Sequence, residues 1–138
     1  MKKLILFFLF LSLLLTSQEL IVVGNNTFPL KSLSKEEIKD FYLSKHRFIE
    51  EEKILVMNFG NSNDLRTCFE KNILEKSKRS LERYWRRAYY KGKRPPKVVK
   101  SNEMLFSYLE AVAPSLGYCD ANISLEHNVT ILFRLSCD

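Results

Sequence analysis

The sequence predicts an α/β fold, a mainly parallel sheet flanked by helices. Three observations carry that expectation. Short apolar runs rich in β-branched residues alternate along the chain with stretches whose apolar residues recur at helical spacing, and no linker, repeat or low-complexity tract divides them. Size is the third: residues 18–138 number 121, one ordinary domain, able to bury roughly two-thirds of the surface its unfolded chain exposes.

Residues 1–17 are set apart as a leader. Lys2 and Lys3 open the chain, and the 12 residues from Leu4 to Leu15 are apolar except for Ser12 before Thr16, Ser17 and Gln18. A basic start, a short apolar helix and a small or polar segment make a cleaved secretory signal. A spanning anchor needs about 20 apolar residues, more than this run supplies. The leader carries two of the 22 Lys and Arg, which leaves 20 against 16 Asp and Glu over 18–138, a net of +4.

The domain opens on Glu19 to Gly24, a β-branched run ending in glycine and read as a buried strand. Ser34 and Glu37 form an S-x-x-E capping box, followed by Ile38, Phe41 and Tyr42 on one helical face that ends near Ser44. Ile54 to Phe59 is the second strand. Leu65, Cys68, Phe69 and Ile73 mark an amphipathic helix. The next helix starts near Lys78, shows Leu81, Tyr84, Trp85 and Ala88 on one face, and must stop before Pro95 and Pro96. Lys97 to Lys100 reads as a short strand and Ser101 as the start of a helix bearing Leu105, Tyr108, Leu109 and Val112, with Pro114 and Gly117 ending it. Leu116 to Cys119 and Val129 to Leu135 complete the strands, the last alternating Val129, Ile131, Phe133 and Leu135.

Three cysteines, Cys68, Cys119 and Cys137, are an odd number, so in an oxidising compartment at least one thiol is unpaired. Cys119 and Cys137 fall in late strands and could pair; three ordinary small buried residues are the alternative, and spacing does not decide. No CxxC occurs and His46 lies far from His127, so no metal site and no cofactor is expected. Nor is there a G-x-S-x-G elbow, an H-E-x-x-H pair or a P-loop, and the expectation is a non-enzyme.

Four blocks, LSKEEIKDFYLSKHRF (33–48), NFGNSNDLRTCFEKNIL (58–74), LERYWRRAYYKGKRPP (81–96) and YLEAVAPSLGYCDA (108–121), occur in an order that resembles the short, single-lobe relatives of the phosphate-binding component of phosphate ABC transporters, in the type II periplasmic-binding-protein superfamily. In the family's F-x-G-K block Ser44 takes the glycine place and Phe48 that of a following tryptophan. Tyr84, Trp85, Gly92, Pro95 and Pro96 match a second block, and Pro114 to Tyr118 a P-G-A-I-G-Y ending. The resemblance implies a single periplasmic-binding-protein-like lobe, a periplasmic address, phosphate or another small oxyanion as ligand, and a membrane transporter or sensor protein as partner. The chain departs from the family at the serine-glycine-threonine turn that holds phosphate, where Asn63, Asp64 and Leu65 stand and the Asp64 carboxylate repels an anion.

Two sets of residues are candidates for binding. Asn61, Ser62, Asn63 and Arg66 surround an expected helix start, whose free N–H groups and dipole favour an anion; the alternative is that Ser62 or Asn63 simply caps that helix. The segment from Lys76 to Lys97 holds ten Lys or Arg against one acid, Glu82. With Tyr84, Trp85 and Ala88 turned to the core, Arg83, Arg86 and Arg87 form its outer side, either an ordinary solvated face or a surface for an acidic protein partner or a membrane. Nucleic acid is not expected of an exported chain.

Overall fold

The computed structural model describes residues 18–124 and 126–137; the expected leader lies outside them. In chain order the elements are β1 (Gln18–Gly24), α1 (Lys35–Tyr42), a short hairpin of β2 (Phe48–Ile49) and β3 (Glu52–Lys53), and β4 (Leu55–Asn58). Then come α2 (Asp64–Phe69) running into a π-helical turn (Glu70–Leu74), α3 (Lys78–Tyr90), β5 (Lys97–Val98), α4 (Asn102–Ala111), β6 (Ser115–Asp120), α5 (Ala121–Ser124) and β7 (Thr130–Cys137). The hairpin, the π turn and α5 are additions to the elements expected from the sequence.

Five strands form one sheet in the order β5-β4-β6-β1-β7. β4 runs parallel to both β5 and β6, whereas β1 is antiparallel to β6 and to β7. Four strands thus share one direction and β1 alone opposes them, so the sheet is mixed with mostly parallel strands. Leu20 to Val23 of β1 are 0% exposed, which explains why this strand reads as a continuous apolar run rather than an alternation.

Local signals fix the helix ends. Ser34 Oγ accepts from Glu37 N while Glu37 Oε1 accepts from Ser34 N, closing the capping box at α1. Ser77 and Ser101 cap α3 and α4 through Ser80 N and Met104 N. Ser44, just past α1, has φ +57°, the left-handed region that favours glycine, and its hydroxyl donates to Arg94 O at 2.8 Å. Gly92, at φ +79°, ends α3.

Three local expectations are corrected. Gly117 does not end α4, which stops at Ala111; it sits within β6, where a Cβ would meet Leu105 Cδ1 at 2.5 Å, so its role is close approach of α4 to the sheet. The alternation in β7 is interrupted by a bulge opposite Val22 and Val23. The bulged residue, Leu132, is the one buried there, and Ile131 is turned outward. Cys119 and Cys137 do not pair, because β1 lies between β6 and β7 and puts them at least two strand spacings, roughly 9–10 Å, apart, beyond the Cα separation of about 7 Å a disulfide spans.

Cys137 instead joins Cys68 of α2, with Cα atoms 5.7 Å apart and 69 residues between them. Cys119 is a free, buried thiol, its pKa pushed up to about 12 by burial and then by the Asp120 charge. A cross-link of that loop length constrains the unfolded chain by about 4 kcal/mol. Cys137→Ser is therefore expected to lower unfolding stability in urea by about that amount. Alkylation of the oxidised protein at pH 8 is expected to label no thiol when native and one when unfolded; one labelled thiol in the native state would contradict the burial of Cys119.

Candidate functional site

The C-terminal ends of parallel strands are where open α/β sheets hold ligands, and here the end of β4 is built by aromatic packing. Phe69 of α2 stacks on Tyr118 of β6 at 4.2 Å and 4°. Tyr42 of α1 and Phe59 pack on the same group at 4.5 Å from Phe69 and 5.4 Å from Tyr118 respectively. Both buried hydroxyls find acceptors on β4: Tyr42 Oη donates to Met57 O at 2.7 Å, and Tyr118 Oη donates to Asn58 Oδ1. Burial raises both phenol pKa values, so each hydroxyl stays a donor.

Asn58, the last residue of β4, is 7% exposed. Its Oδ1 accepts from Tyr118 Oη and from Phe59 N at 2.9 Å. The amide is therefore oriented, and its Nδ2 is left as a donor with no hydrogen-bond partner among the described residues. Asn58 lines a cleft of about 610 Å³ between the ends of β4 and β5, the α2–π segment and α3.

The charged part of that cleft comes from two helices. The π turn after Phe69 brings Glu70 inward, 3% exposed; such turns often mark functional segments. Glu70 Oε2 accepts from Arg66 Nε at 3.3 Å and Oε1 from Lys78 Nζ at 2.8 Å. Arg66 Nη1 donates to Phe59 O at 2.7 Å, tying the guanidinium to the β4–α2 loop. From α3 the residues Lys78, Leu81, Glu82, Trp85 and Arg86 line the cleft, a spacing that is one helical face. Three cations, Arg66, Lys78 and Arg86, thus meet two carboxylates, Glu70 and Glu82.

The residues singled out in the sequence are distributed by the structure. Asn61 and Arg66 line the cleft together. Ser62 lies in the exposed turn before α2. Asn63 caps α2, its Oδ1 accepting from Leu65 N at 2.9 Å and Arg66 N at 3.2 Å, and it borders a separate hollow with Asp64 and Asp120. The free N–H groups of that helix start are thus taken by the cap, and two carboxylates stand beside it. Arg86 enters the cleft while Arg83 and Arg87 are exposed on the rest of α3. Asn58, Glu70, Lys78 and the cleft-facing role of Trp85 were not found from sequence. The 78, 82, 85, 86 periodicity was the available signal, masked by the Leu81, Tyr84, Ala88 pattern on the same helix.

No protein-family model matches the sequence, and no curated protein matches it. Solved structures do. The fold is similar to an ABC-type phosphate transport receptor from Vibrio cholerae, with TM-score 0.65 and 19% identity over 83% of this chain and 45% of that one. It is similar to a proposed phosphate ABC transporter substrate-binding protein with bound phosphate from Clostridium perfringens, with TM-score 0.67 and 15% identity over 83% and 44%. PstS from Borrelia burgdorferi gives TM-score 0.63 and 17% identity over 85% and 48%. The chain spans a little under half the length of each. At these identities the likeness shows the fold, and the α/β binding-protein-like lobe expected from the sequence is the fold observed.

Removing the carboxylate that organises the cations tests the cleft. Glu70→Gln is expected to cost about 2 kcal/mol in urea unfolding, less than a fully buried pair because Lys78 reaches solvent. A change below about 0.5 kcal/mol would mean that Arg66 and Lys78 are positioned without it.

Proposed function

We propose that the domain is an exported, non-catalytic binding module, residues 18–138, which takes a small oxyanion such as phosphate in the cleft at the ends of β4 and β5. It would serve a membrane transporter or a sensor protein as an accessory subunit in the periplasm, the expected leader at residues 1–17 supplying the address. The observation that carries this reading is the convergence of Arg66, Lys78 and Arg86 with the oriented Asn58 amide in one cleft. Low-dielectric walls strengthen such donors toward an anion, and the fold is that of solved phosphate receptors. The chain spans under half of each of those structures, and the capture proposed for it is weak.

Calorimetry with an oxyanion panel, inorganic phosphate first and a phosphate monoester next, checks the reading. Saturable binding in the millimolar range or tighter is expected, weakened about fivefold by Arg86→Gln, the size of one charge-assisted contact. A folded domain that binds no member of the panel overturns it.

A second reading is favoured by the part of α3 that the cleft does not use. Arg83 and Arg87 are exposed, Tyr89 and Tyr90 are 57% and 86% exposed, and the Arg94 guanidinium lies 4.1 Å over the Tyr89 ring. Aromatic and arginine side chains standing together in solvent are the composition of a docking surface, here for an acidic protein. Association with an acidic partner is expected to weaken as salt rises and to be lost on Arg83→Glu with Arg87→Glu; association insensitive to both changes removes this reading.

A further inference from the structure

Resting on the oxyanion reading, we infer that the cleft selects an organic oxyanion, one anionic head carried on a flat apolar body, over an inorganic ion. The argument starts from what the cations already do. Arg66 and Lys78 are both held on Glu70, so their charge is largely spoken for. The Arg86 side chain makes no ion pair or hydrogen bond among the described residues, Glu82 one turn before it in the same wall included, and it is the cation left to meet a ligand's charge. The Asn58 Nδ2 donor is fixed in direction by the two hydrogen bonds on Oδ1, and Asn61 adds a further amide. These groups suit one anionic head.

An inorganic oxyanion needs donors on all sides, and the remaining walls do not supply them. Leu74, Leu81, Trp85, Pro95, Pro96 and Val98 are the apolar part of the lining, which Tyr42 and the Glu82 carboxylate complete. Leu74 and Leu81 are 3% and 5% exposed, while Val98 is 51% exposed at the mouth. Trp85 is half-buried, with Tyr84 packed edge-on against it at 5.0 Å and 80°, which holds the indole in place. At about 610 Å³ the space has the size and mixed lining of a small-molecule site and exceeds what a bare ion fills. The α2 start, where the family's anion turn aligns, is flanked by Asp64 and Asp120 and offers the ion no better place.

Trp85 is the chain's single tryptophan, so its emission reports on the cleft directly. The probes are inorganic phosphate, phenyl phosphate and phenol, titrated against the oxidised domain by fluorescence and calorimetry. Phenyl phosphate is expected to bind about tenfold or more tighter than inorganic phosphate, the gain from burying one ring face, and to perturb Trp85 emission; phenol is expected to bind far more weakly. Trp85→Leu, followed by calorimetry, and Val98→Ser, which alters an exposed residue and leaves the core intact, are expected to shrink the ratio of the two phosphates. Arg86→Gln is expected to weaken both equally. Equal affinity for the two phosphates overturns the inference and leaves the oxyanion reading standing. Phenol binding as well as phenyl phosphate, or no probe binding, overturns both. An unchanged ratio in Val98→Ser and Trp85→Leu places the ring elsewhere and also overturns the inference.

Discussion

The hydrogen bond from the Tyr118 hydroxyl to Asn58 Oδ1 is the constraint on which the functional end of the molecule depends. A buried phenol needs an acceptor and a buried amide needs its oxygen satisfied, since an unpaired polar group in that environment costs about 1–3 kcal/mol. Here each meets the other's requirement. Because Phe69 stacks on the Tyr118 ring, the position of α2 fixes the phenol, the phenol fixes the amide, and the amide belongs to a residue that lines the cleft. Sheet, helix and site are joined by contacts that would be needed for packing alone.

Much of the fold was legible in the sequence because its signals are local. The Ser34–Glu37 capping box, the run at Leu20 to Val23 and the paired prolines after α3 act within a few residues of where they stand. What escaped depends on contacts distant in the chain. The direction of β1, the partner of Cys137 and the burial of Leu132 follow from strand order and a bulge, which single-chain periodicity does not encode. Glu70 was unreadable for another reason: an acid beside Phe69 on an amphipathic helix looks solvent-facing until a π turn rotates it inward.

The basic segment shows how one composition serves two surfaces. Ten cations between Lys76 and Lys97 look uniform as a string, but the turn of α3 sorts them. Lys78 and Arg86 go to the cleft, one neutralised and one free, while Arg83 and Arg87 stay in solvent. The two proposed uses of the helix therefore draw on different residues and do not compete for the same charges.

The wall formed by Pro95 and Pro96 is anchored from outside. Arg94, immediately before them, accepts the hydroxyl of Ser44, a residue held in a backbone region that glycine would occupy at less cost. The serine side chain at that bend thus trades conformational ease for a tether across 50 positions of sequence. The shape of the cleft's rim is accordingly set in part by a residue that does not line it, so a change at that bend would be felt at the wall of Pro95 and Pro96.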